Sequence, residues 1–277
     1  MRGYGTYNQP PGSWSDDSSL SFCLCESLSN GYNLNDLGKR FVDWYCKGYW
    51  SAHGKVFDIG ATTMKAINNI KSGVNPIEAG MDDECSNGNG SLMRILPLAF
   101  YLEDKEIDTQ FKCSHEVSCL TYGHLRSQMA CGIYIQIAVN LIKEMDPQKA
   151  YEKMKDVVLM KYGELPYIDE LKHFNRIIKN DISNIPIEYI KSSGYVIDSL
   201  EAGLWCLLNN NTYKKTVLSA VNLGEDTDTI SAIAGGLAGI YYQYHGIPRS
   251  WIDALARKED ILELGNKYYQ SLLYSTL

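Results

Sequence analysis

No stretch of about 18 uninterrupted apolar residues occurs in this 277-residue sequence. Its start likewise lacks a positively charged opening followed by an apolar run and a small-residue cleavage site. A membrane span and a secretory signal are therefore not expected, and the reading is a soluble, cytoplasmic protein with no membrane partner. Lys and Arg form no block, and the formal net charge is -7. A groove for a nucleic-acid duplex or a basic membrane-binding face needs clustered cations, so neither is expected. The eight cysteines, at 23, 25, 46, 85, 113, 119, 131 and 206, contain no CxxC pair and mostly fall in apolar, helix-like stretches. They read as reduced core residues. Five scattered histidines offer no zinc-ligand spacing. Period-two alternation rich in Val, Ile or Thr is nowhere sustained over a strand length, which leaves a sheet hard to place.

What is present is material for one large core, 45% apolar residues in 277, so a single domain spanning 1–277 is the default. The first twelve residues carry three Gly and two Pro and read as a loop. From Ser15 helical periodicity sets in, with Leu20, Cys23, Leu24, Ser27 and Leu28 on one face. Asp16 or Asp17 is placed to cap the first turn, and Asn30-Gly31 to end the helix. Similar stretches follow at about 34–48, 58–72, 90–103, 108–120, 125–144, 148–161, 166–179, 195–209, 212–222, 228–244 and 258–274, bounded by helix start and stop residues. The stretch 180–194 is polar and loop-like. With no fixed repeat period, the expectation is an all-α, globular multi-helix bundle and not a solenoid.

Two acidic clusters stand at helix starts: Ser15-Asp16-Asp17-Ser18 and Gly224-Glu225-Asp226-Thr227-Asp228-Thr229. Each alone reads as a capping turn whose carboxylate complements the helix dipole. If the two meet, four carboxylates in one pocket repel one another unless hard cations neutralise them. With the hydroxyls of Ser15 and Thr229 they form an all-oxygen set suited to Mg²⁺ or Mn²⁺. The Gly/Ala-rich ISAIAGGLAGIYY after Thr229 lets backbones approach closely and reads as a central helix holding its aspartates rigidly. The run Ser-Asn-Gly-Asn-Gly-Ser-Leu-Met-Arg at 86–94 offers free N–H groups to a phosphate. Its plainer reading is a loop with Asn89 or Ser91 as cap and Arg94 as an ion-pair partner. His124 reads as a capping or substrate-contacting residue.

The segments GSWSDDSSL, SNGNGSLMRILPLAF and NLGEDTDTISAIAGGLAGIYY, in order between about residues 3 and 244, resemble the ADP-ribosylglycohydrolase family, which includes the dinitrogenase reductase-activating glycohydrolases. The resemblance implies an all-α fold with two Mg²⁺ or Mn²⁺ ions, hydrolysing the bond between ADP-ribose and a protein side chain or small molecule. By position, Ser15, Asp16 and Asp17 are similar to the family's first metal motif, and Asp226, Asp228 and Thr229 to its second. Asn89, Gly90 and Ser91 resemble the loop that touches the phosphates and ribose. Gly194-Tyr195 resembles a substrate-lining loop in which the Tyr ring could stack on adenine, a helix-start anchor being the plain alternative. Such cations acidify a coordinated water, and Asp17 or Asp228 could take its proton before attack at the anomeric carbon. The sequence starts after the GxxxGDAxG-type helix and glutamate usual in the family, so the site is expected without them. Tyr122 stands where the family commonly has His. A non-catalytic binder of ADP-ribose or a related nucleotide, and a scaffold keeping only the fold, are the alternatives.

Overall fold

A computed structural model describes residues 3–274. The helices are α1 (Asp16–Leu28), α2 (Leu34–Lys47), α3 (Ala61–Lys71), α4 (Pro97–Leu102), α5 (Ile107–Cys119), α6 (Leu125–Ile142) and α7 (Pro147–Tyr162), followed by the short α8 (Ile168–Leu171) and α9 (Asn175–Ile178). The chain continues with α10 (Val196–Leu208), α11 (Tyr213–Asn222), α12 (Thr227–Gly246), α13 (Arg249–Ala254) and α14 (Lys258–Tyr274). Among the described residues no strand forms beyond two isolated bridges, Met81 with Tyr122 and Gly88 with Tyr195. The expected all-α class is what is found. None of the described helices is long and apolar enough to cross a membrane.

Local signals explain several boundaries. In α2 the Asn33 side chain accepts from the N–H groups of Asn35 and Asp36, and Gly48 closes the helix in the left-handed region. Between them Leu37, Phe41 and Trp44 fall on the core face at helical spacing. α6 is buried nearly all round and packs against α4, α5, α7, α10 and α12. The Gly/Ala pattern of α12 does what its small residues permit: a Cβ on Gly236 would stand 2.6 Å from Leu96, and one on Gly203 of α10 would stand 2.5 Å from Ile233. α12 is thus held closely between neighbours, with its N-terminus fixed.

Several expected helices are corrected. The stretch 90–103 is helical only as α4, because Pro97 has no N–H to donate and starts a helix more readily than it continues one. Neither Asn89 nor Ser91 caps it. The stretch 166–179 breaks into α8, a 3-10 turn and α9, and the expected loop 180–194 carries two 3-10 turns, at Ile182–Asn184 and Ile187–Tyr189. The cysteine expectation holds for 23, 113, 131 and 206, which are buried, but Cys46 and Cys85 are exposed.

Candidate active site

The two acidic clusters, about 210 residues apart in sequence, do meet. Ser15 precedes α1 in extended conformation, so Asp16 and Asp17 open the helix. They do not cap it; both turn inward and are 7% and 3% exposed. Ser15 Oγ donates to Asp17 Oδ2 at 2.6 Å. The second cluster is aimed by a turn with Gly224 and Glu225 at φ 88° and 50°. This turn directs the Asp226 N–H to Ser192 O at 3.1 Å. Asp226 Oδ2 also accepts from Asn89 Nδ2 at 2.7 Å, while the same amide donates to Ser199 Oγ at 2.8 Å. The Thr229 hydroxyl lies near Asp17 and Asp226 and favours the charged form of both. Asp228, the exposed member, faces Asp16, Asp17 and Asp226.

A fifth carboxylate, Asp58, joins this group and was not among the expected site residues. It lies two residues before Gly60, the residue that precedes α3, where the sequence pattern reads only as the beginning of a helix at 58. Its backbone is instead left-handed, at φ 56°. Non-glycine residues seldom adopt that conformation, and it often marks a site that needs a side chain aimed off the regular path. The carboxylate faces Asp228 and Asp226 and accepts a hydrogen bond from the Tyr7 hydroxyl. A Gly at a helix start with Asp two positions earlier was the available signal, and it is a weak one.

The electrostatics are those of an anionic cluster short of counter-charge. Burial first, then the neighbouring aspartates, holds Asp16 and Asp17 well above the ordinary carboxylate range. Burial raises Asp58 and Asp226 as well. Among the described residues no Lys, Arg or His forms an ion pair with any of the five. Asp17 Oδ1 is buried without a hydrogen-bond partner, which is costly for a carboxylate oxygen unless something positive sits against it. The donor set is entirely oxygen, and the residues present therefore fit Mg²⁺ or Mn²⁺.

The loop expected to meet a substrate lies beside this cluster. Asn89 N–H donates to Gly194 O and Val196 N–H to Asn87 O, both at 3.0 Å, so residues 87–89 are clipped to the start of α10. The Asn89 N–H is therefore engaged within the chain. Gly90 has no room for a side chain, since a Cβ would stand 2.7 Å from the Tyr122 hydroxyl. Ser91 turns into the core, where its Oγ accepts from Ser118 Oγ at 3.0 Å. Arg94 is fully buried and has no carboxylate partner, contrary to the ion-pair reading. It donates to Gly90 O, Thr121 Oγ1 and Val117 O and stacks on Phe41, fixing the loop from beneath.

His124 and Tyr195 border a second cluster. His124 caps α6, its Nδ1 accepting from Arg126 N–H at 3.1 Å. Glu84, His124 and Glu170 place one ligand-type atom each within 4.8 Å of one another. Arg126 already occupies this group, donating to Glu84 Oε1 and to Glu170 Oε2 at 2.8 Å each. With Nδ1 accepting, neutral His124 carries its proton on Nε2, which faces Glu84 and has no free lone pair. The group is an ion-pair network, and the Tyr195 ring lies 6.0 Å from the Arg126 guanidinium.

The profile described as ADP-ribosylglycohydrolase matches residues 1–275. The sequence is similar to ADP-ribosylarginine hydrolase Tri1 of Serratia proteamaculans, 31% identical over 277 residues that cover 97% of this chain and 70% of the relative. It is 26% identical to ADP-ribosyl-[dinitrogen reductase] glycohydrolase of Rhodospirillum rubrum, over 93% of this chain and 79% of the relative. A solved structure titled ADP-ribosylglycohydrolase-related protein complex superposes with a TM-score of 0.80 at 27% identity, covering 98% of this chain and 86% of that one.

Proposed function

The chain belongs to the ADP-ribosylglycohydrolase family, and from that premise we propose that it hydrolyses the bond joining ADP-ribose to a modified side chain, with arginine as the favoured acceptor. The observation that carries the reading is the convergence of Asp16, Asp17, Asp58, Asp226 and Asp228 around a buried carboxylate oxygen without a partner. Ser15, Asp16, Asp17, Asp226, Asp228 and Thr229 would hold two Mg²⁺ or Mn²⁺ ions. When bound, such ions supply Lewis-acid polarisation and neutralise charge.

The chain's own groups have distinct tasks in this reading. Asp228, the carboxylate open to solvent, takes a proton from the water that attacks the anomeric carbon, with Asp17 as the buried alternative. Asn89 holds Asp226 in place through its amide. Gly90 and Tyr195 line the ADP-ribose, and His124 borders the same face. An arginine acceptor suits the charge balance: five carboxylates against two divalent cations leave one negative charge beside a cationic leaving group. It also agrees with the relative named for ADP-ribosylarginine hydrolysis. The test is ADP-ribose release from ADP-ribosylated arginine in MgCl₂ by the wild type and by Asp228→Ala. Loss in the folded variant supports the assignment, and undiminished release would sink it.

A further inference from the structure

Tyr7 reaches the acid cluster from a segment that neither aspartate motif includes. Residues 4–9 fold back on themselves through Tyr4 N–H to Gln9 O at 2.7 Å and Asn8 N–H to Gly5 O at 2.9 Å. A contact of 2.8 Å between Ser13 Oγ and His53 Nε2 ties the following residues down. The Tyr7 hydroxyl donates to Asp58 Oδ1, and its ring centroid lies 5.7 Å from that of Phe57 with the planes tilted by 44°. Tyr7 is 49% exposed. Phe57 is half-buried.

A carboxylate beside two aromatic rings at the open edge of an anionic site suits a planar, delocalised cation. A guanidinium can donate in its plane to the carboxylate while its face lies on a ring, and it is more weakly hydrated than an ammonium. A neutral hydroxyl acceptor gains neither contact. Resting on the hydrolase reading above, we propose that Tyr7 and Phe57 are specificity-determining residues which, with Asp58, hold the guanidinium of an ADP-ribosylated arginine and select it over O-linked acceptors. In the free protein the phenol fills the place on Asp58 that a guanidinium N–H would take. Ring and hydroxyl therefore have separable effects: Tyr7→Phe keeps the face and removes a competitor, and Tyr7→Leu removes the face.

The test is calorimetric binding of L-arginine, with L-citrulline as its neutral control, to full-length protein saturated with Mg²⁺ and ADP-ribose. Tyr7→Leu and Phe57→Leu are each expected to weaken arginine binding roughly two- to fivefold, the size of an exposed cation–ring contact. Tyr7→Phe should bind arginine as tightly as the wild type or more so. In turnover, the preference for ADP-ribosylarginine over an ADP-ribosylserine peptide should fall by the same factor in the Leu variants, through KM. Thermal melting confirms that each variant is folded. Unchanged arginine affinity in both Leu variants, an equal loss for citrulline, or no arginine binding by the wild type would overturn the proposal. A wild type that binds arginine through Tyr7 yet releases ADP-ribose from neither substrate would refute the hydrolase reading and leave this one standing.

Discussion

Asp17→Asn is expected to stabilise the metal-free protein at pH 7.5 while removing its response to Mg²⁺. Asp17 is 3% exposed, and its Oδ1 has no partner. Burial first, and Asp228 next, push its pKa from 3.8 up to about 7. Because the folded value lies above the unfolded one, the folded state binds the proton more tightly. The associated stability is complete below about pH 3.8 and is lost as pH rises through about 7. At about 1.4 kcal/mol per unit the ceiling on that loss is on the order of 4 kcal/mol, and relaxation of neighbours and water should leave roughly half of it. The amide removes this charge and should raise Tm by roughly 4–8 °C in EDTA at pH 7.5, and by less than half as much at pH 5. Taking the difference between variant and wild type at each pH cancels the buried titrating groups that do not face Asp17. These include Glu201, raised to about 7 by burial, and His115, lowered to about 4 by burial. Mg²⁺ at a hundredfold its Kd should then stabilise the wild type by about 2.7 kcal/mol and the variant hardly at all. A variant less stable than wild type in EDTA at pH 7.5, or one responding equally to Mg²⁺, would refute the argument.

Three further outcomes follow from the same geometry. Asp228→Ala should lower kcat for ADP-ribose release by roughly 10²- to 10⁴-fold, the range for removing a general base, with cooperative melting in EDTA showing that the variant is folded. Asn89→Ala should weaken Mg²⁺ binding roughly 10- to 100-fold by calorimetry, because Asp226 loses the amide that orients it at 2.7 Å. Gly203→Ala places a Cβ 2.5 Å from Ile233 Cγ2 and should cost about 1–3 kcal/mol in urea unfolding; a cost below about 0.5 kcal/mol would mean that α10 and α12 are not so closely packed.

Helix class and most helix positions were legible because periodic apolar faces and end signals act locally, as at Asn33 and Gly48 around α2. The aspartates at 16, 17, 226 and 228 were legible as candidates only on the condition that the two clusters meet, since each alone reads as a capping turn, and the structure does bring them together. Asp58 was not, because its role depends on a left-handed backbone and on proximity to residues about 170 positions away, and neither leaves a pattern in its neighbours. Tyr7 lies in a Gly- and Pro-bearing stretch that carries no periodicity. Arg94 misled for a different reason. A charged residue suggests an oppositely charged partner, whereas this guanidinium donates to two backbone carbonyls and a hydroxyl, lies over the face of Phe41 and keeps its Nε buried without a partner.

The fold brings three helix N-termini to the same place: α1 begins at Asp16, α12 at Thr227 and α3 at Ala61, just after Asp58. Each aligned set of peptide dipoles presents roughly half a positive charge at its start. Three of them would offset about a third of the charge on five aspartates were all ionised, far from all of it. The residual field explains why burial and mutual repulsion still raise Asp16, Asp17, Asp58 and Asp226. It also explains why the scaffold around them is so constrained, with Gly203 and Gly236 admitting the close packing of α12 and Arg94 bracing the loop that carries Asn89. A site that repels itself must be held from outside until cations arrive. Loosening that hold by Gly203→Ala should therefore act more strongly in EDTA than in Mg²⁺ when melting temperatures are compared. Equal effects under both conditions would mean that the acids are not the source of the strain.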